Sequence, residues 1–164
     1  MKSATDLLDL PFDLFTRNTL IREMVDSIKK NDKTTFKILD VGGREGNLSD
    51  FLSDDEIHIL DIRSGEEGNY VLGDITNSPY RYDSFDVVIS SDMYEHIPKN
   101  DRLNAVAEML RISKNFVILG APFDSKDVLK VLLRFQNLHR MFGTSSVLNL
   151  FFITCRTLAN TRSH

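Results

Sequence analysis

Short apolar runs rich in β-branched residues alternate along this chain with stretches whose apolar positions recur every three or four residues. Phe36–Val41, Ile57–Asp61, the start of Asn69–Ile75, Phe85–Ile89 and Asn115–Gly120 are of the first kind and read as buried strands. In Phe12 to Lys30, Ile21, Met24, Val25 and Ile28 form an i, i+3, i+4, i+7 stripe, with Arg22, Glu23, Asp26 and Lys29 between them. That stripe predicts an amphipathic helix lying on the sheet. Asp101 to Arg111 predicts another, with Leu103, Val106, Met109 and Leu110 inward and Arg102, Asn104 and Glu108 outside. Leu48, Phe51 and Leu52 suit a short helix starting near Gly46. Strands alternating with helices predict one α/β domain built on a parallel sheet.

The first strand ends in an acid and breaks into glycines: Asp40-Val41-Gly42-Gly43-Arg44-Glu45-Gly46. Glycines at a strand-to-helix turn open backbone conformations closed to other residues and let a ligand reach the main chain without meeting a Cβ. Asp40 is placed to accept hydrogen bonds from a ligand's ammonium group or to hold the loop's own amides. The second run also ends in an acid, Asp61, 21 positions after Asp40. That spacing suits a neighbouring parallel strand whose carboxylate reaches the ribose hydroxyls of a nucleoside.

Composition narrows the partners. The 164 residues are 41% hydrophobic and 27% charged, which suits a single soluble domain with a sizeable core. A formal net charge of −4 gives no basic footprint, so no nucleic-acid partner is expected. The one cysteine, Cys155, supports neither a disulfide framework nor a thiolate metal site, and no His, Cys or carboxylate spacing predicts a metal. With no basic, then long apolar, N-terminal stretch, no membrane span is expected and the location read is cytoplasmic.

Asp40 to Gly46 resembles the first motif of class I S-adenosylmethionine-dependent methyltransferases. Gly42 and Gly46 stand at the outer glycine positions, Arg44 replaces the middle glycine and Gly43 lies one position early. Asp83-Ser84-Phe85-Asp86-Val87-Val88-Ile89 resembles the family's fourth strand, and Glu95-His96-Ile97-Pro98 a stretch common in its methyltransferase type 11-like branch. The resemblance runs from Phe12 to Phe123. It implies a Rossmann-like open parallel sheet of strand order 3-2-1-4-5 flanked by helices, with S-adenosylmethionine as cofactor.

On that resemblance the cofactor site comprises Asp40, Gly42, Gly43, Gly46, Asp61, Asp74, Ile75 and Ser91. Asp74 would accept from the adenine amino group and Ile75 lie against the ring, although Asp beside Gly after a strand is also ordinary turn chemistry. Methyl transfer from a sulfonium is an in-line displacement in which the protein aligns the partners and excludes water. His96 is the histidine beside the expected pocket and the candidate base, or else a loop-fixing side chain. His58, His139 and His164 need no role. The implied reaction is methyl transfer to a small-molecule acceptor. One alternative is a catalytically impaired cofactor-binding or partner subunit, motivated by Arg44 and the short C-terminus; another is an NAD-dependent oxidoreductase, although the loop lacks the G-x-G-x-x-G arrangement.

Residues 124–164 depart from the family pattern, which adds an antiparallel hairpin at the sheet edge. Val128 to Met141 reads as a helix, Gly143-Thr144-Ser145-Ser146 as its break, and Val147 to Thr154 as one strand or a short apolar helix. The expectation is a shortened or atypical edge, with homodimerisation through the apolar 147–153 segment.

Overall fold

The computed structural model describes residues 10–29, 34–44, 47–65, 69–122 and 149–155, the last seven and residues 121–122 without their side chains. Gly46, the 128–141 helix and its 143–146 break lie outside the described residues. The elements, in chain order, are α1 (Phe12–Lys29), β1 (Lys37–Val41), α2 (Leu48–Phe51), β2 (Glu56–Asp61), β3 (Tyr70–Leu72), β4 (Phe85–Ser91), α3 (Arg102–Ile112), β5 (Ser113–Pro122) and β6 (Asn149–Cys155). Single 3-10 turns lie at Ile75–Asn77 and Tyr94–His96.

The sheet order is β3-β2-β1-β4-β5-β6, and every pairing is parallel. The first five strands give the expected 3-2-1-4-5 order. A parallel sheet is covered on both faces, which is why its strands are apolar almost throughout rather than alternately. Leu39, Val41, Val88, Val117 and Leu119 pack on one face with Ala105, Val106, Met109 and Ile112 of α3. Their strand neighbours Ile38, Val87, Ile89 and Ile118 pack on the other, with Ile21 and Val25 of α1 and Leu48 and Leu52 around α2.

Two expectations change. The helix read from near Gly46 is a single turn, because Asn47 takes a left-handed conformation (φ 49°) and helical geometry begins only at Leu48. One turn contributes little dipole toward the site. Arg102 and Glu108, read as facing out, are half-buried anchors of the loops preceding α3: Arg102 donates to the carbonyls of Glu95 and Ile97, and Glu108 accepts from the Ser78 amide. At the C-terminal edge the structure gives one further strand, the first of the two readings. The described part of the 147–154 run lies in strand β6 (Asn149–Cys155), parallel to β5, with Phe116 opposite Asn149 through Pro122 opposite Cys155. A parallel neighbour needs a crossover of a dozen or more residues, a length that residues 123–148 supply.

Candidate functional site

The carboxyl ends of β1, β2 and β4, the turn after β3 and the start of α1 enclose a cleft of about 630 Å³. Ligands bind at this end of an open α/β sheet, where strand order reverses about β1. Asp40, Gly42, Gly43, Asp61, Asp74, Ile75, Ser91 and His96 all line it. Among the described residues no group of three or more His, Cys, Asp or Glu side chains is arranged to hold a metal ion.

The glycine turn is shaped by its neighbours. Gly42 has φ 79°, and a Cβ there would lie 2.7 Å from the Met93 side chain. At Gly43 a Cβ would fall on the Asp40 carboxyl group itself. Both positions therefore exclude a side chain, and the main chain stays open to the cleft. Arg44, in place of the family's middle glycine, lines the cleft but is exposed, so it does not fill the interior.

Asp40 is buried, at 5% exposure. Burial raises its carboxyl from the ordinary value to about 7, the nearby Arg17 guanidinium draws it down, and Asp61 pushes it up. Asp61 is buried too, and one of its oxygens accepts from the Arg63 amide at 2.9 Å, which orients the carboxylate at the end of β2. Asp74 caps the turn that follows, accepting from the Thr76 amide at 2.8 Å. Turn chemistry therefore occupies one oxygen and leaves the second for a ligand. Ile75 is 4% exposed and belongs mainly to the core, whereas Ile62, beside Asp61, is 71% exposed on the cleft wall. Sequence reading missed Ile62; the signal available was an aliphatic residue directly after the strand-end acid.

The opposite end of the cleft carries a charged array. Asp92 takes a left-handed conformation (φ 71°) after β4 and pairs with Arg17 of α1, Nη1 to Oδ2 at 3.1 Å. Burial pushes the Asp92 carboxyl up, but the hydrogen bond with Glu95 and the charges of Arg17 and His96 outweigh it and hold it below its ordinary value. Glu95 moves the other way, raised by burial and by the hydrogen bond with Asp92 and its charge. Glu95 Oε2 and Arg17 Nε are both buried without a hydrogen-bond partner. A buried donor left unpaired costs about 1–3 kcal/mol. His96 stands exposed on the cleft rim, and Arg102 steadies its turn from behind, its guanidinium also 5.1 Å from the Tyr94 ring centroid. Arg102 was not among the residues expected to build the site.

Residues 39–118 match the family described as a methyltransferase domain. The magnesium protoporphyrin IX methyltransferase of Synechocystis PCC 6803, solved with bound S-adenosylmethionine, is similar at 15% identity and TM-score 0.53, over 77% of this chain and 73% of that one. The YcgJ protein of Bacillus subtilis is similar at 20% identity and TM-score 0.54, over 76% of this chain and 58% of that one. At these identities the likeness is one of fold. No curated protein sequence matches the chain.

Proposed function

We propose that the chain transfers the methyl group of S-adenosylmethionine to a small-molecule acceptor, a reading supported by the match of residues 39–118 to the methyltransferase-domain family. The observation that carries this reading is that Asp40, Asp61 and Asp74, from the ends of three successive strands, line one cleft around a glycine turn with no room for side chains. These residues fit the cofactor. Gly42 and Gly43 leave the main chain bare, Asp61 offers a buried carboxylate to vicinal hydroxyls, and the exposed face of Ile62 offers an apolar wall for a base.

When bound, the cofactor supplies a sulfonium methyl already activated for displacement. The chain's own part is alignment and exclusion of water. Asp40 would hold the amino-acid end, Asp61 the ribose and Asp74 the adenine, with Ser91 beside the turn. His96 would take a proton from the acceptor, on the side of the cleft where Asp92 and Glu95 stand. The presence of that array favours an enzyme over an impaired partner subunit. The methyltransferase-domain match favours S-adenosylmethionine over a dinucleotide.

Among the described residues no helix is long and apolar enough to cross a membrane. The outer edge of β6 has no strand partner among the described residues, and Asn149–Cys155 carries no charge and no proline. Such an edge invites pairing, and homodimerisation through it is part of the proposal. Light scattering that shows a constant monomer mass across concentration would remove it.

Calorimetric titration with S-adenosylmethionine and S-adenosylhomocysteine tests the main reading. We expect micromolar binding that Asp61→Ala weakens by about 1–3 kcal/mol, the loss for charge-assisted hydrogen bonds. A folded protein that binds neither ligand refutes it.

A further inference from the structure

The side chains of Asp92 and Glu95 are hydrogen-bonded to each other just beyond β4. Two ionised carboxylates have only acceptors to offer, so that bond exists only if one of the pair keeps its proton. The surroundings decide which. Asp92 faces a cation, Arg17 Nη1 reaching its Oδ2 at 3.1 Å, and that contact favours the ionised form. Glu95 has no such contact. Its Oε2 is buried with nothing to donate to it, and its side chain meets only its own backbone amide and Asp92. A sealed oxygen without a donor penalises a charged carboxylate far more than a neutral acid. The proton therefore belongs to Glu95. The directions of titration agree: Glu95 is raised, by burial first, and Asp92 is held below its ordinary value in spite of burial.

This bridge joins elements on different sides of the cleft. Arg17 comes from α1, Asp92 follows β4 in its left-handed conformation, and Glu95 is the middle residue of the Tyr94–His96 turn, whose His96 lines the cleft. The other charged groups that meet the pair are His96 itself and Arg102 of α3, which donates to the Glu95 carbonyl at 2.9 Å. Glu95 is thus held at its main chain by a guanidinium and at its side chain by a proton.

We propose that Glu95 works as a protonated acid whose hydroxyl donates to Asp92, and that this bridge makes Glu95 a positioning residue for His96. The part His96 plays as a base rests on the methyl-transfer reading above; the bridge does not. As pH rises the proton leaves Glu95 for solvent, the two carboxylates repel, and the side-chain tie between the turn and the end of β4 is lost.

The test is carboxyl carbon NMR on the full chain without ligand, titrated from acid to alkaline pH. The Glu95 Cδ signal, identified by its loss in Glu95→Gln, should titrate at higher pH than those of exposed glutamates, and the His96 and Ile97 amide shifts should step with it. Glu95→Gln offers Asp92 an amide donor at every pH, so it should abolish that step and keep the low-pH amide positions. Glu95→Ala has no donor at any pH, and its His96 and Ile97 amides should exchange about tenfold or more faster than in Glu95→Gln, the factor for one hydrogen bond to a charged group. A Glu95 that titrates with the exposed glutamates, an amide step that survives Glu95→Gln, or a Glu95→Gln that exchanges as fast as Glu95→Ala overturns the proposal. If Glu95→Ala does not fold, the first two readings decide. Titration with S-adenosylhomocysteine is a separate arm: failure of the unsubstituted protein to bind removes the cofactor reading and the base role of His96, while the carboxyl spectra alone judge the bridge.

Discussion

Gly43 lies directly over the carboxyl group of Asp40, so that a Cβ on one and the Oδ2 of the other would claim the same space. The acid at the end of β1 and the glycine three positions later are a single device: the bare backbone lets the carboxyl stay under the turn, facing the cleft. The obstruction is part of a side chain wedged among buried neighbours, and it has little room to give.

Gly43→Ala should therefore displace Asp40 or the turn. Overpacking of this kind costs about 1–3 kcal/mol, visible as a lower midpoint in urea unfolding. Affinity for S-adenosylhomocysteine should fall further than stability does, because both the carboxyl and the main chain are moved. Arg44→Gly, at an exposed position one residue on, should leave stability and affinity nearly unchanged.

The raised Asp40 carboxyl makes a pH prediction whose sign can be worked out. Its value moves from the ordinary 3.8 to about 7 on folding, by burial first, with Asp61 adding and Arg17 subtracting. Between those values the folded state holds a proton that the unfolded chain has lost, so stability declines as pH rises through this window and levels off above about 7. The full cost is on the order of 4 kcal/mol at 1.36 kcal/mol per unit. Asp40→Asn should thus gain stability relative to the unsubstituted protein between about pH 5 and pH 8, read from thermal melts. Cofactor affinity should run the opposite way, because an ammonium needs the ionised carboxylate: it rises with pH up to about 7 and is flat in Asp40→Asn.

The strands were legible because a parallel sheet buried on both faces leaves uninterrupted apolar runs, as in Val87-Val88-Ile89, whose members point to alternate faces and are all buried. Asp40, Asp61 and the glycines were legible because strand ends and tight turns carry local signatures. Long-range partners carry none. Asp55, in the polar run Asp54-Asp55-Glu56, has a nearly sealed side chain, bound by Lys29 Nζ at 2.6 Å and by the Phe36 amide at 2.8 Å. Both partners come from elements that only the crossover geometry brings alongside. The pairing of Arg17 with Asp92 was not legible for the same reason, since the two lie far apart along the chain. Glu108, about one helix turn from Arg111, is an intermediate case: the i, i+3 pairing is local, but the Ser78 amide it also holds is not.

Arg102 supplies the last prediction. It donates from Nε to the Ile97 carbonyl at 3.0 Å and from Nη2 to the Glu95 carbonyl at 2.9 Å, and so grips the chain on both sides of His96. The turn has two backbone bonds of its own, from the His96 amide to the Met93 carbonyl and from the Ile97 amide to the Tyr94 carbonyl. Two bonds hold a single 3-10 turn weakly, so the arginine is what keeps His96 on the cleft rim. Arg102→Met retains the stem against Tyr94 and removes the donors; it should cost roughly 1–3 kcal/mol in stability. Amide exchange at His96 and Ile97 should accelerate well beyond that at Val88 or Ile118 in the sheet, while S-adenosylhomocysteine affinity, set by the other wall of the cleft, changes little. Unchanged protection at His96 and Ile97 would show that the turn holds itself, and a large loss of affinity would place Arg102 on the cofactor side.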